Sequence, residues 1–180
     1  MHRRSILFVL LTAGIVVAAL YLTGNALGTP ANGFVGTTLA KGRLDEIDIF
    51  NKLVDPPDAQ TQGNNGNVWL SLQKTKGSSD LYVQTNVWQP GGTTGWHSHP
   101  GHSLIVVTAG TVTDYEGDDP TCTPHVYTTG MAFVDHGGEH HVHIIRNETN
   151  AVAATVAIQL IPADTQRRID VPTSPSNCPF

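Results

Sequence analysis

The sequence predicts an all-β protein, built as a sandwich or a barrel of short strands. Segments rich in β-branched and aromatic residues recur about every 8 to 15 residues, and clusters of Gly, Pro, Asn and Asp separate them. Beyond the N-terminal segment, no window longer than about ten residues shows helical periodicity. Charged residues make up 14% of the chain, which also has 18 glycines and 11 prolines. This composition disfavours a helical bundle.

Eight segments are predicted strands, and at 180 residues the chain suits a single domain. The strands are predicted at 68–75, 81–89, 103–109, 111–115, 126–129, 131–135, 141–146 and 151–161. The polar segment 55–67 is interpreted as a long loop, and one short helix could lie within 44–62.

The N-terminal segment 1–31 is typical of a signal peptide or a signal anchor. Two arginines precede Ile6–Leu22, a run of 17 residues without a charge. Small residues follow and offer a cleavage site, but 17 residues is also the lower bound for a membrane span. Both interpretations place the remaining chain, 32–180, outside the cytoplasm as a secreted or extracytoplasmic domain. Membrane contact would then come only through an uncleaved segment.

The two cysteines, Cys122 and Cys178, agree with export. An exported chain with an even number of cysteines favours a disulfide, which would attach the C-terminal tail to the body. Two free thiols are the alternative. A cysteine metal site is less favoured, because neither cysteine has a CxxC partner.

The histidines form the most informative pattern. Eight of the nine lie between His97 and His143, and the pairs His97/His99 and His141/His143 are each separated by one residue. Residues two apart on a strand point to the same face, so each pair can present two imidazoles to one side. Imidazole nitrogen binds Zn, Fe, Cu and Ni, and with oxygen ligands it also holds Mn. The pattern therefore predicts a site for a divalent transition metal.

With these two histidine pairs among its glycine-bounded strands, the chain resembles the cupin superfamily. The first cupin motif, G-x5-H-x-H-x3,4-E-x6-G, matches the spacing of Gly91, His97, His99, Ser103 and Gly110. Ser103 stands where the family has its glutamate ligand, so the usual carboxylate is missing. The resemblance covers about 80–161. It implies a double-stranded β-helix, or jelly-roll, barrel over 32–180, in the manner of small exported single-domain cupins.

The second cupin motif, G-x5-P-x-G-x2-H-x3-N, matches in part. Gly130 and Gly138 fit its first half, and His143 and Asn147 fit its end. His136 replaces the proline, and about two extra residues separate Gly138 from His143.

The resemblance implies that His97, His99 and His143 are metal ligands. The position of a fourth ligand on the metal stays open. His141 could fill it because it shares a face with His143, and His102 could reach it from the turn before β-strand 103–109. Water could also serve there.

Three hypotheses on function follow. The first is an exported metalloenzyme, oxygenase- or isomerase-like, acting on a small polar molecule through Fe, Mn, Zn, Ni or Cu. The second is a non-catalytic module that binds a metal or a small ligand, and the third is a metal-free structural barrel. No catalytic residue is assigned. The net charge of −5 without a basic cluster excludes nucleic acid as a partner. Exposed β edges would allow a homodimer.

Overall fold

The computed structural model describes residues 29–54, 68–138 and 140–180. The signal or anchor segment up to residue 28 and the predicted loop 55–67 lie outside the described residues. The strands are β1 (Asn32–Leu44), β2 (Asp48–Val54), β3 (Val68–Lys74), β4 (Ser79–Thr93), β5 (His97–Ser98), β6 (Ser103–Ala109), β7 (Thr111–Glu116), β8 (His125–Thr128), β9 (Ala132–Asp135), β10 (His143–Arg146), β11 (Ala153–Pro162) and β12 (Ile169–Asp170). A helix with the length and apolarity to span a membrane is not found among the described residues.

Two antiparallel sheet layers form a nearly closed barrel. One layer runs β1–β4–β11–β6–β9, and the other runs β8–β7–β10–β5–β12. The layers join where Arg146 of β10 pairs with Thr93 of β4. This double-sheet jelly roll confirms the predicted all-β barrel.

The apolar core lies between the two layers. Both layers contribute one residue in two to it, as the alternation of side chains along a strand requires. Each large apolar side chain that is fully buried stabilises the fold by about 1.5–3 kcal/mol. The buried core residues are Trp88, Ile105, Val107, Val112, Phe133, Ile145, Ala153 and Ala157.

The strand register collects polar residues at one end of this core. His143 of β10 pairs with His97 of β5, and Ser103 of β6 pairs with Asp135 of β9. All four side chains are buried. The first and second cupin motifs therefore meet inside the barrel, although His97 and His143 are more than forty residues apart in the sequence.

Strand β1 is absent from the sequence-based prediction. It pairs with β4 along its length, and its outer face is exposed. Two cations on β1 lie against the buried carboxylate of Asp80, with Arg43 at 2.8 Å and Lys41 at 3.0 Å. Arg43 also contacts Asp164 at 2.7 Å, which ties β1 to the segment after β11.

Strands β2 and β3 form a separate two-stranded sheet. β3 agrees with the predicted strand 68–75. The prediction of a short helix is wrong for residues 48–54, because these residues form a strand that pairs with β3 along its whole length. Several large apolar side chains of this hairpin are exposed: Ile49, Phe50, Leu53, Trp69, Leu70 and Leu72.

The C-terminal segment covers the outer face of the β7–β10 layer. Cys178 is buried there with Trp96, Tyr115 and Ile144 in a second apolar cluster. Cys122 and Cys178 are paired, with 5.4 Å between their Cα atoms, so the predicted disulfide is confirmed as a geometric pairing. The bond holds the tail 171–180 against the barrel.

Removing the disulfide should destabilise the barrel. In the full-length chain, Cys122→Ser/Cys178→Ser should lower the free energy of unfolding by about 4 kcal/mol, because the bond closes a loop with a sequence separation of 56. Urea denaturation measures this change. The control is the wild type with and without a reductant, which should reproduce the loss, whereas the variant should not respond to the reductant. Equal unfolding midpoints for the oxidised wild type and the variant would contradict the expectation.

Candidate metal centre

Three histidines converge at the polar end of the core. His97 comes from β5, His99 follows that strand directly, and His143 opens β10. They are 4%, 7% and 1% exposed, respectively, so none is an ordinary surface histidine. The ring centroid of His97 lies 4.7 Å from that of His99 and 4.4 Å from that of His143. The ring centroids of His99 and His143 are 5.6 Å apart. Each residue offers one ring nitrogen, and these three atoms all lie within 4.8 Å of one another, close enough to hold one metal ion.

The Nδ1 atom of each ring faces a polar group: a backbone carbonyl hydrogen-bonds His97 and another His99, and a carboxylate lies close to His143. His97 Nδ1 donates to the Gly95 carbonyl at 2.9 Å, and His99 Nδ1 donates to the Arg167 carbonyl at 2.7 Å. His143 Nδ1 lies 3.3 Å from Asp114 Oδ1. These contacts leave Nε2 of each ring for the centre of the cluster. Metal-binding histidines in proteins are held in this way, with one nitrogen on a carbonyl or carboxylate and the other on the metal.

Asp135 brings a carboxylate to the same place. Its Oδ2 lies 3.4 Å from His99 Nε2 and 3.7 Å from His143 Nε2, and it accepts a hydrogen bond of 3.1 Å from Ser103 Oγ. Ser103, at the position of the family's glutamate, thus supports an acid from the neighbouring strand β9. Asp135 is not among the ligands predicted from the sequence. The only signal for it was an acid at the end of a predicted strand, directly before His136.

The two other histidines considered for the fourth position lie elsewhere. His141 Nε2 is 2.6 Å from Glu116 Oε2, and its ring centroid is 6.2 Å from that of His143. His102 is half-buried and lines a different surface cavity with Lys74 and Leu160. The structure therefore groups His97, His99 and His143 and separates the other two. Their assignment as ligands stays a prediction.

Without a metal, the three imidazoles differ in proton affinity. Burial lowers the pKa of His97 well below its usual value, and the nearby His143 lowers it further. Burial also lowers the pKa of His99 to about 4, although Asp135 opposes the shift. Burial acts to lower the pKa of His143 as well, but the carboxylates of Asp135 and Asp114 outweigh it and raise this pKa to about 9. At neutral pH, His143 is therefore the imidazole of the three that takes up a second proton and becomes positively charged. A metal ion that binds His143 would have to displace that proton.

A small cavity of about 140 Å³ opens beside the cluster. Apolar walls come from Trp88, Ile105 and Ile145. Its polar lining includes Arg167, whose Nη1 donates to Gln84 Oε1. The volume is below the roughly 300–1,000 Å³ of sites for drug-sized ligands, so it favours a small molecule.

No protein-family model and no curated protein matches this chain. Solved structures do resemble it. A polyketide cyclase, RemF from Streptomyces resistomycificus, aligns at 13% identity with a TM-score of 0.47, over 82% of this chain and 79% of the cyclase. A cupin superfamily protein from Desulfitobacterium hafniense aligns at 15% identity with a TM-score of 0.39, over 45% of this chain and 67% of that protein. An oxalate oxidase aligns at 21% identity with a TM-score of 0.44, over 56% of this chain and 51% of the oxidase.

This chain thus spans about two thirds of the D. hafniense protein and about half of the oxalate oxidase. The similarities concern the fold alone. The described barrel has the cupin fold, because its jelly-roll pairing places the histidines of both cupin motifs at one end of the interior. Asn147, which ends the second motif, is buried, and its Nδ2 donates to the carbonyls of Trp88, Gln89 and Ala151.

The protonation of His143 should make the metal-free protein less stable as the pH rises. Its pKa in the folded state, about 9, lies above the usual 6.5. The stabilisation is therefore fully present below pH 6.5 and lost as the pH passes through about 9. Urea unfolding of the full-length chain in EDTA, at several pH values between 6.5 and 9, measures this loss. Asp135→Asn should flatten the dependence, because it removes the strongest influence that raises the pKa. A wild type whose stability is constant across this range would contradict the assignment.

Proposed function

We propose that this chain is an exported cupin that holds a divalent transition metal through His97, His99 and His143, with Asp135 as the carboxylate ligand. The observation that supports this most is the convergence of three buried rings, two of which, His97 and His99, are held through Nδ1 by backbone carbonyls. The Nε2 and Nδ1 atoms of His143 are shielded from solvent and have no hydrogen-bond partner among the described residues. A buried polar atom without a partner is costly, and a bound cation would remove that cost at Nε2.

The donor set fits several metals. Three imidazole nitrogens and one carboxylate oxygen suit Fe, Mn, Zn, Ni or Cu, and affinity alone does not select among them. Asp135 would take the role that the family's glutamate plays, from the adjacent strand rather than from position 103. A divalent ion with three neutral imidazoles and one carboxylate keeps a positive charge, which would attract an anionic or strongly polar ligand.

A metal bound here would supply Lewis-acid chemistry or activation of a bound small molecule. The residues of the chain would bind and orient that molecule. Arg167 offers a guanidinium at the cavity, and Gln84 and Asn86 add amide groups. Trp88 and Ile105 limit the space and exclude water. We propose a small carboxylate or a similarly polar molecule as the ligand.

Two activities are compatible with this site. The first is an oxygenase- or isomerase-like metalloenzyme acting on that small molecule. The second is a non-catalytic cupin module that binds a metal or a small ligand. The small buried cavity next to the cluster favours the first, because a bound molecule would contact the metal directly. Turnover of a small carboxylate by the metal-loaded protein separates the two.

Export and self-association remain part of the proposal. The paired cysteines suit an oxidising compartment outside the cytoplasm. On the outer face of β6, β9 and β11, Leu104, Val134 and Ile158 are exposed neighbours across the strands, a surface that would suit a homodimer.

Metal analysis tests the site directly. The full-length triple variant His97→Ala/His99→Ala/His143→Ala lacks three of the proposed ligands. It should therefore contain about one equivalent of transition metal less than the wild type. Asp135→Asn should weaken metal binding by about tenfold or more. Elemental analysis of protein purified without a polyhistidine tag measures the content. His102→Ala is the matched control and should retain the metal. A folded wild type that contains no metal and takes up no added Fe, Mn, Ni, Cu or Zn would overturn the proposal.

Arg167 should control ligand affinity without affecting the metal. Arg167→Met removes the guanidinium but keeps the backbone carbonyl that holds His99. We expect glycolate, used as a small carboxylate probe, to bind the metal-loaded variant about tenfold more weakly, the effect of one charge-assisted hydrogen bond. Isothermal calorimetry measures the affinity.

Arg168→Met is the matched control for this experiment. The guanidinium of Arg168 is occupied by the Thr94 carbonyl and by Asp170, both at 2.6 Å, so its loss should have a smaller effect on glycolate. Equal affinity of the wild type and Arg167→Met for glycolate would show that the guanidinium does not bind the ligand.

A further inference from the structure

We infer that the chain has a second site for a divalent transition metal, formed by Glu116, His136 and His141 at the rim of the barrel. Each of these residues offers one ligand atom, and the three atoms lie within 4.8 Å of one another. They come from three places in the sequence. Glu116 ends β7, His136 directly follows β9, and His141 lies two residues before β10.

The turn between β9 and β10 brings the two histidines together. Gly137 has a φ of 64°, and a Cβ there would collide with the backbone of Gly101. The Gly138 N–H donates to the His99 carbonyl at 2.6 Å, and the His141 N–H donates to the Gly138 carbonyl at 3.3 Å. The backbone therefore holds this turn against the barrel, and the His136 and His141 rings meet edge to face with centroids 5.5 Å apart.

The ligand atoms in this cluster are poorly satisfied without a cation. Glu116 Oε2 and His141 Nε2 are 2.6 Å apart, yet their geometry is not that of a hydrogen bond. Both atoms are shielded from solvent and have no hydrogen-bond partner among the described residues. Two ligands on one metal at bonds of about 2.1 Å lie roughly 3.0–3.4 Å apart. A shift of less than about 1 Å would therefore admit an ion between them.

The surroundings favour a cation and leave it open to solvent. Asp118 Oδ2 lies 3.7 Å from His141 Nδ1, so a second carboxylate faces the outer side of that ring. The cluster lines an open cleft of about 400 Å³, together with Asp118, His125 and Tyr127. A bound ion would thus keep free positions for water or a ligand.

The ligand set defines the class of metal. Two imidazoles and one carboxylate bind zinc in hydrolytic sites and non-haem Fe(II) in oxygenases, in both cases with open positions. Hard cations such as Ca²⁺ and Mg²⁺ prefer oxygen donors and are disfavoured here. Zn²⁺ is the probe that suits this donor set.

This second site is distinct from the three-histidine cluster. Residues at the two ends of the β9–β10 connection belong to different clusters. Asp135 and His143 line the interior cavity, and His136 and His141 line the cleft at the rim. The ring centroids of His141 and His143 are 6.2 Å apart. The two ions would be neighbours, each with its own ligands.

Zinc binding by the full-length chain tests the inference. After EDTA treatment, the tag-free protein in detergent is titrated with Zn²⁺, and its bound zinc is counted by elemental analysis. We expect two equivalents for the wild type and one for His136→Ala/His141→Ala. Glu116→Gln should weaken the second equivalent by about tenfold or more. His140→Ala is the matched control, because His140 is exposed in the same turn outside the cluster, and it should bind two equivalents.

The outcomes separate this site from the interior one. In the background of His97→Ala/His99→Ala/His143→Ala, one equivalent should remain, and adding His136→Ala/His141→Ala should remove it. If that background binds one equivalent while the wild type also binds only one, the interior proposal fails and the second site stands. If His136→Ala/His141→Ala is folded by circular dichroism and binds as much zinc as the wild type, the second site is refuted. Cobalt substitution adds a spectroscopic check, since the visible bands assigned to the rim site should disappear in that variant.

Discussion

The burial of three imidazoles beside one carboxylate is the interaction on which the rest of this structure depends. Histidine rings in an apolar core cost free energy unless each nitrogen finds a partner. Here backbone carbonyls hold His97 and His99, and the charge of Asp135 retains a proton on His143. The same contacts that make burial tolerable aim the remaining nitrogens at one point, which is the geometry that a metal ion needs.

The segments around the barrel support this arrangement. The Arg167 carbonyl orients His99 while the Arg167 side chain lies at the cavity, so the connection between β11 and β12 contributes to both the histidine cluster and the cavity. The disulfide fixes the C-terminal tail over Trp96 and Ile144, on the outer face of the strands that carry His97 and His143. The site is therefore enclosed by an apolar core on one side and by the tail-covered layer on the other.

The β9–β10 turn links the interior cluster to the rim. Asp135 and His136 are adjacent in sequence but face different clusters, and His141 and His143 are separated in the same way. The connection can place neighbouring residues in different clusters because β9 ends and β10 begins within a few residues of each other. A shift of this turn would therefore move residues of both clusters together.

The all-β class, most of the strands and the disulfide partners could be predicted from the sequence alone, because they follow from local alternation and from the count of cysteines. The set of His97, His99 and His143 was implied by the resemblance to the cupin motifs, whose spacing these residues match. The sequence did not determine β1, whose glycines and charges hide a strand that β4 and Asp80 hold in place. Nor did it separate His141 from His143, because the two share a face only on a continuous strand, and β10 begins at His143. The carboxylate of Asp135 comes close to His99 and His143 only in the folded chain, because its partnership with Ser103 is a pairing across strands between residues 32 apart in the sequence.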